Sequence, residues 1–69
     1  MVNKNLQKFG DKVREHRTEK NLTQAELAEI IGMSTNYVGN IERGERNTTV
    51  KNVYKIASAL NISPCDLFR

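Results

Sequence analysis

Between Ser34 and Asn40 the chain reads STNYVGN, a stretch that carries hydroxyls and amides but no charge. Arg43, Arg46, Asn47 and Lys51 follow closely. The two groups suit two jobs on one kind of surface. An amide such as Asn36 or Asn40 holds a donor and an acceptor side by side and can pair bidentately with adenine. Thr35 offers a hydroxyl, or a methyl to set against that of thymine. Guanidinium and ammonium groups bind phosphate oxygens, which fixes register without reading sequence. The candidate base contacts are therefore Thr35, Asn36, Tyr37 and Asn40. Tyr37 has two open alternatives, a ring partly in the core or a hydroxyl on a phosphate. Ser34, Arg43, Arg46, Asn47 and Lys51 are the candidate phosphate contacts. Gly39, costly inside a helix, is expected to face outward, either for close approach to a duplex or as a tolerated surface residue. Ordinary solvation is the competing use of all these side chains.

Little else in the chain is reactive. Cys65 is the only cysteine, so no internal disulfide is possible, and His16 is the only histidine. Neither belongs to a cluster with metal-ligand spacing. No nucleophile has a base at hand, no carboxylates are paired in an apolar setting, and no phosphate loop occurs. An enzyme, a metal or a cofactor is not expected.

These residues must be positioned by helices. Leu6, Phe9, Val13 and Arg17 share one face of a first helix that opens at Asn3 or Asn5 and fades near Asn21. TQAE, from Thr23 to Glu26, has the form of a capping box for a second helix with Ala25, Leu27, Ala28 and Ile31 inward. Gly32 stops that helix in a left-handed conformation. Ser34 caps a third, with Val38 and Ile41 inward and Gly44 at its end. Thr48 or Thr49 opens a fourth, with Val50, Val53, Ile56, Ala57 and Leu60 inward. SPCD, from Ser63, opens a short fifth helix with Pro64 at its first position. Ala28 lies four residues before Gly32, while Val38 and Ile41 lie six and nine after it. A small residue at a helix crossing, a sharp turn and two residues packing back together make a helix-turn-helix. The scanning helix spans about 24–31 and the recognition helix about 35–43.

A length of 69 residues and 38% hydrophobic content fit one small globular domain, 1–69, with a marginal core. Eleven Lys and Arg against 8 Asp and Glu give a net charge of +3, which permits an acidic partner without requiring one. No apolar run reaches membrane-spanning length and none marks a leader, so a cytoplasmic, membrane-free protein is expected.

The segment LTQAELAEIIGMSTNYVGNIERGERN, with VREHRTEKNLTQAELA before it and VYKIASALNISPCDLF after it, resembles the Cro and phage-repressor type of helix-turn-helix regulators, the xenobiotic-response-element family. YVGNIERGERN and the small size are most similar to the controller proteins of restriction–modification systems. The resemblance implies an all-α, five-helix bundle of the phage-repressor DNA-binding domain type. It also implies a sequence-specific transcriptional regulator that binds double-stranded DNA as a homodimer on a roughly palindromic operator. Phage-type repressors, antitoxin-like autoregulators and interaction modules that retain the fold are the alternatives. The family pattern further implies that Gln24 bonds a phosphate, and that Glu42 turns inward to pair with Arg17. Thr35 stands where controller-like relatives often carry a basic residue, so guanine readout through position 35 is not expected. Leu67 and Phe68 are the candidate dimer interface, with closure of the monomer core as the other use of both.

Overall fold

The computed structural model describes residues 3–69 of the chain, so positions 1 and 2 of the expected domain lie outside the described residues. Among the described residues there are four α-helices and no strands: α1 (Lys4–Glu19), α2 (Gln24–Ile31), α3 (Thr35–Glu42) and α4 (Val50–Ala59). The expected fifth helix is instead a single 3-10 turn, Pro64–Leu67. Its bonds run from the amide of Asp66 to the carbonyl of Ser63 and from the amide of Phe68 to that of Cys65. A four-residue piece that begins on a proline is too short to establish the 13-atom rings of an α-helix, and the tighter 3-10 pattern is the usual result.

Local hydrogen bonds set the boundaries. Asn3 accepts from the amide of Asn5 at the head of α1. Thr23 and Glu26 complete a reciprocal capping box at the head of α2. Ser34 caps α3 and Thr49 caps α4. Asn21 and Asn61 end their segments in positive φ, a conformation asparagine tolerates better than most residues. Gly32 leaves α2 at φ 72°, and the carbonyl of Ala28 accepts from the amides of Gly32 and Met33, which turns the chain sharply into α3.

Helix α1 packs on α3 and on the 3-10 turn, and α2 packs on α3 and α4. Val13, Leu27, Ile41, Ile56, Leu60 and Leu67 are wholly buried where these faces meet. Two expected inward residues lie outside. Ala25 is exposed on the first turn of α2, and Val50 is 72% exposed at the first position of α4, ahead of the point where Val53 enters the core. Helix α1 meets the backbone of α3 at Gly10, in the middle of α1. A Cβ there would meet the carbonyl oxygen of Ile41 and lie 2.7 Å from that of Glu42. Only glycine allows α1 to lie this near the end of α3.

Candidate nucleic-acid interface

The orientation of α3 is set from behind by Glu42. Its side chain is almost completely buried and takes three hydrogen bonds. Arg17 donates Nε to Oε2 at 2.6 Å and Nη2 to Oε1 at 3.1 Å, and Gln24 donates Nε2 to Oε1 at 3.1 Å. Arg17 Nη1 also donates to the carbonyl of Leu22 at 2.7 Å. One carboxylate thus joins α1, the α1–α2 connection, α2 and α3, and no buried side-chain polar atom among the described residues lacks a partner. A charge this deep is tolerable only because it is paired and fully hydrogen-bonded.

On the outer side of α3, Thr35 and Asn36 are exposed and make no side-chain hydrogen bonds among the described residues. Ser34 is exposed and its hydroxyl oxygen accepts from the amide of Tyr37 at 3.0 Å. Asn40 is half-buried, and its Oδ1 accepts from Arg43 Nη2. Arg43 Nε donates to Glu45 Oε1 at 2.9 Å. The guanidinium therefore lies back along the helix, as side chains leaning toward a helix N-terminus do. It covers Gly39. A Cβ at Gly39 would sit 3.1 Å from Arg43 Nη1 and 3.6 Å from Gln24 Oε1. Gly39 is consequently buried under two side chains, not outward-facing as its sequence position suggested.

Tyr37 is half-buried, and its hydroxyl is engaged from α4 and the loop before it. It lies 2.8 Å from Thr48 Oγ1 and accepts from Asn52 Nδ2 at 2.9 Å. The Arg46 guanidinium lies over its ring, 5.1 Å from the centroid, within cation–π range. Arg46, Asn47 and Lys51 are exposed. Gln24 directs one N–H at Glu42 and keeps the other of its two donors. The expected base and phosphate groups are therefore brought together around α3, the following loop and the start of α4. Leu67 stands apart, with no exposed surface. Phe68 is 66% exposed, with its ring stacked on Phe9 at 5.4 Å between centroids.

Sequence reasoning missed four residues that shape this surface. Thr48 and Asn52 hold Tyr37, Glu45 holds Arg43, and Gly10 admits α1 to α3. Only Gly10 carried a sequence signal, since a glycine inside a helix is costly unless another backbone comes close. Among the described residues, no group of acidic, cysteine and histidine side chains has the arrangement of a metal site, and no helix is long and apolar enough to cross a membrane.

Residues 13–67 match the family described as helix-turn-helix. Control protein C.BamHI of Bacillus amyloliquefaciens is 43% identical over 60 residues, which is 86% of this chain and 74% of that protein. Control protein C.SmaI of Serratia marcescens is 45% identical over 55 residues, 80% of this chain and 66% of the relative. The crystal structure of the restriction–modification controller protein C.AhdI from Aeromonas hydrophila superposes with a TM-score of 0.93 at 47% identity, covering 96% of this chain and 100% of that one.

Proposed function

The chain belongs to the helix-turn-helix family, and on that premise we propose that it is a sequence-specific, DNA-binding transcriptional regulator of the restriction–modification controller kind, a homodimer on a roughly palindromic operator in the cytoplasm. The observation that carries this reading is the uncharged strip Thr35, Asn36 and Asn40 on α3, bordered by the exposed cations Arg43, Arg46 and Lys51. A helix with its side chains is about 10–12 Å across, and the major groove is about 12 Å wide, so α3 fits within it. The strip reads base edges. Ser34, the free N–H of Gln24, Arg46, Asn47 and Lys51 hold phosphates on either side of it. Tyr37 is the strut between the reading helix and the loop that carries Arg46.

Size supports the dimer. The molecule measures 28 × 24 × 21 Å, while successive faces of the major groove on one side of a duplex are about 34 Å apart. One chain therefore covers one half-site, and a second copy covers the next. Of the two candidate interface residues, only Phe68 offers surface to a partner, with Leu67 fixing its position from the core.

Selection of bound duplexes from a random pool tests the reading. An inverted-repeat consensus is expected. Asn36→Ala then changes the preferred base at one position per half-site. Arg46→Ala weakens all duplexes alike and lowers the slope of log affinity against log salt by about one. Recovery of no consensus sinks the proposal.

A further inference from the structure

We propose that Gly39 and Glu45 are specificity-determining residues, which together seat Arg43 on α3 and withhold this cation from the phosphates of nonspecific duplex. The inference rests on the regulator reading above and concerns the same surface. Arg43 caps the end of α3, next to the loop that carries Arg46 and Asn47. An arginine there is placed to bind a phosphate, yet this one folds back. Its Nε donates to Glu45 Oε1 at 2.9 Å and its Nη2 to Asn40 Oδ1. The guanidinium fills the space that a side chain at position 39 would take. A Cβ at Gly39 would sit 3.1 Å from Nη1 and 3.7 Å from Nη2. Gly39 is not among the glycines of positive φ, so its backbone conformation does not call for glycine. Its cost inside a helix is explained by the room it leaves for Arg43.

Electrostatics give the seat its effect. Nonspecific binding is almost wholly a matter of phosphates neutralised by cations and of the counterions this releases. A closed Arg43–Glu45 pair carries no net charge, so it adds nothing to that sum. Arg46 and Lys51 have no carboxylate partner among the described residues, so Arg43 alone of the three bordering cations is withheld. The pair is about half exposed on both sides and adds little to folding. On an operator the same seat serves reading. Arginine has donors and no acceptor, so its bond fixes the amide of Asn40 with the oxygen toward Arg43. Releasing Arg43 therefore strengthens nonspecific binding and loosens a base-reading side chain at once.

The test is the affinity for a random-sequence duplex and for the pool-selected operator, each as a function of salt. It is made with Glu45→Gln and Gly39→Leu, alone and in an Arg43→Gln background. In Glu45→Gln the nonspecific affinity is expected to rise by roughly 3- to 10-fold at low salt, and the slope of log affinity against log salt to steepen by about one. The ratio of operator to nonspecific affinity falls. Gly39→Leu changes no charge, but it crowds the guanidinium out of its seat and steepens the slope in the same way. In the Arg43→Gln background the Glu45→Gln gain shrinks by about threefold or more, the non-additivity of groups that act through one another, and Gly39→Leu leaves the slope as it is. A Glu45→Gln gain that is equal with and without Arg43 means that the carboxylate only repels DNA, and overturns the inference. An unchanged slope in folded Gly39→Leu, checked by its melting temperature, overturns the seat. A wild-type pool with no consensus overturns the regulator reading itself, and this inference with it.

Discussion

Glu42 shows how much one side chain can carry in a chain of this size. It is the one charged residue buried in the described core, and three donors from two other helices end on it. Removing one partner of such a buried pair typically costs about 3–5 kcal/mol, because the other charge is left uncompensated. Small domains have only about 5–15 kcal/mol of stability in all. Glu42→Ala should therefore move the urea midpoint far down, and a midpoint within error of wild type would show that Arg17 needs no partner. The pair lies 25 residues apart in sequence, and no local pattern connects the two; only resemblance to a family brought them together. Tyr37 shows the other side of this. Its alternatives stayed open in the sequence because Thr48 and Asn52, which hold its hydroxyl, arrive from a different element. Tyr37→Phe should cost about 1 kcal/mol in the same assay, the usual worth of a lost hydrogen bond. Gly39 was misread for a related reason: its cover comes from Arg43 and Gln24, and a sequence does not show a side chain folding back.

At the scale of elements, legibility followed range. The caps at Thr23, Ser34 and Ser63, the left-handed Gly32 and, apart from Val50, the apolar faces of α1 and α4 depend on neighbours within a few positions, and sequence reasoning reached them. Helix type at Pro64–Leu67 and the crossing distance of α1 over α3 depend on length and on distant backbone, and it did not. Two glycine substitutions separate these influences. Gly32 has nothing within 4 Å of an added Cβ but stands at φ 72°, so Gly32→Ala should cost about 1–2 kcal/mol through backbone strain alone. Gly10 has ordinary helical φ, and in open space alanine would stabilise it by about 0.5–1 kcal/mol. Here the new methyl would instead strike the carbonyls of Ile41 and Glu42. Gly10→Ala should therefore be net destabilising by about 2 kcal/mol or more, as overpacking is, and should also disturb DNA binding because α3 is displaced. A rise in melting temperature for Gly10→Ala would mean that the two helices separate freely.

For the molecule as a whole, a net charge of +3 is small for a DNA ligand, so shape must contribute much of the affinity, and in the proposed dimer the pairing of copies adds to it. Phe68→Ala should weaken self-association and make the melting temperature less dependent on protein concentration, as sedimentation and thermal unfolding at several concentrations would show. An unchanged association constant would move the interface to the other exposed apolar surface, where Ile30 of α2 and Tyr54 of α4 flank a shallow groove. The three bonds to Glu42 also bear on how such a regulator changes over generations. They hold α3 from its inner side, while Thr35 and Asn36 on the outside make no side-chain hydrogen bond among the described residues. A lineage can therefore exchange its address without rebuilding its architecture. Randomising positions 35 and 36 in this scaffold should yield mostly folded proteins, among them regulators directed to operators the parent ignores.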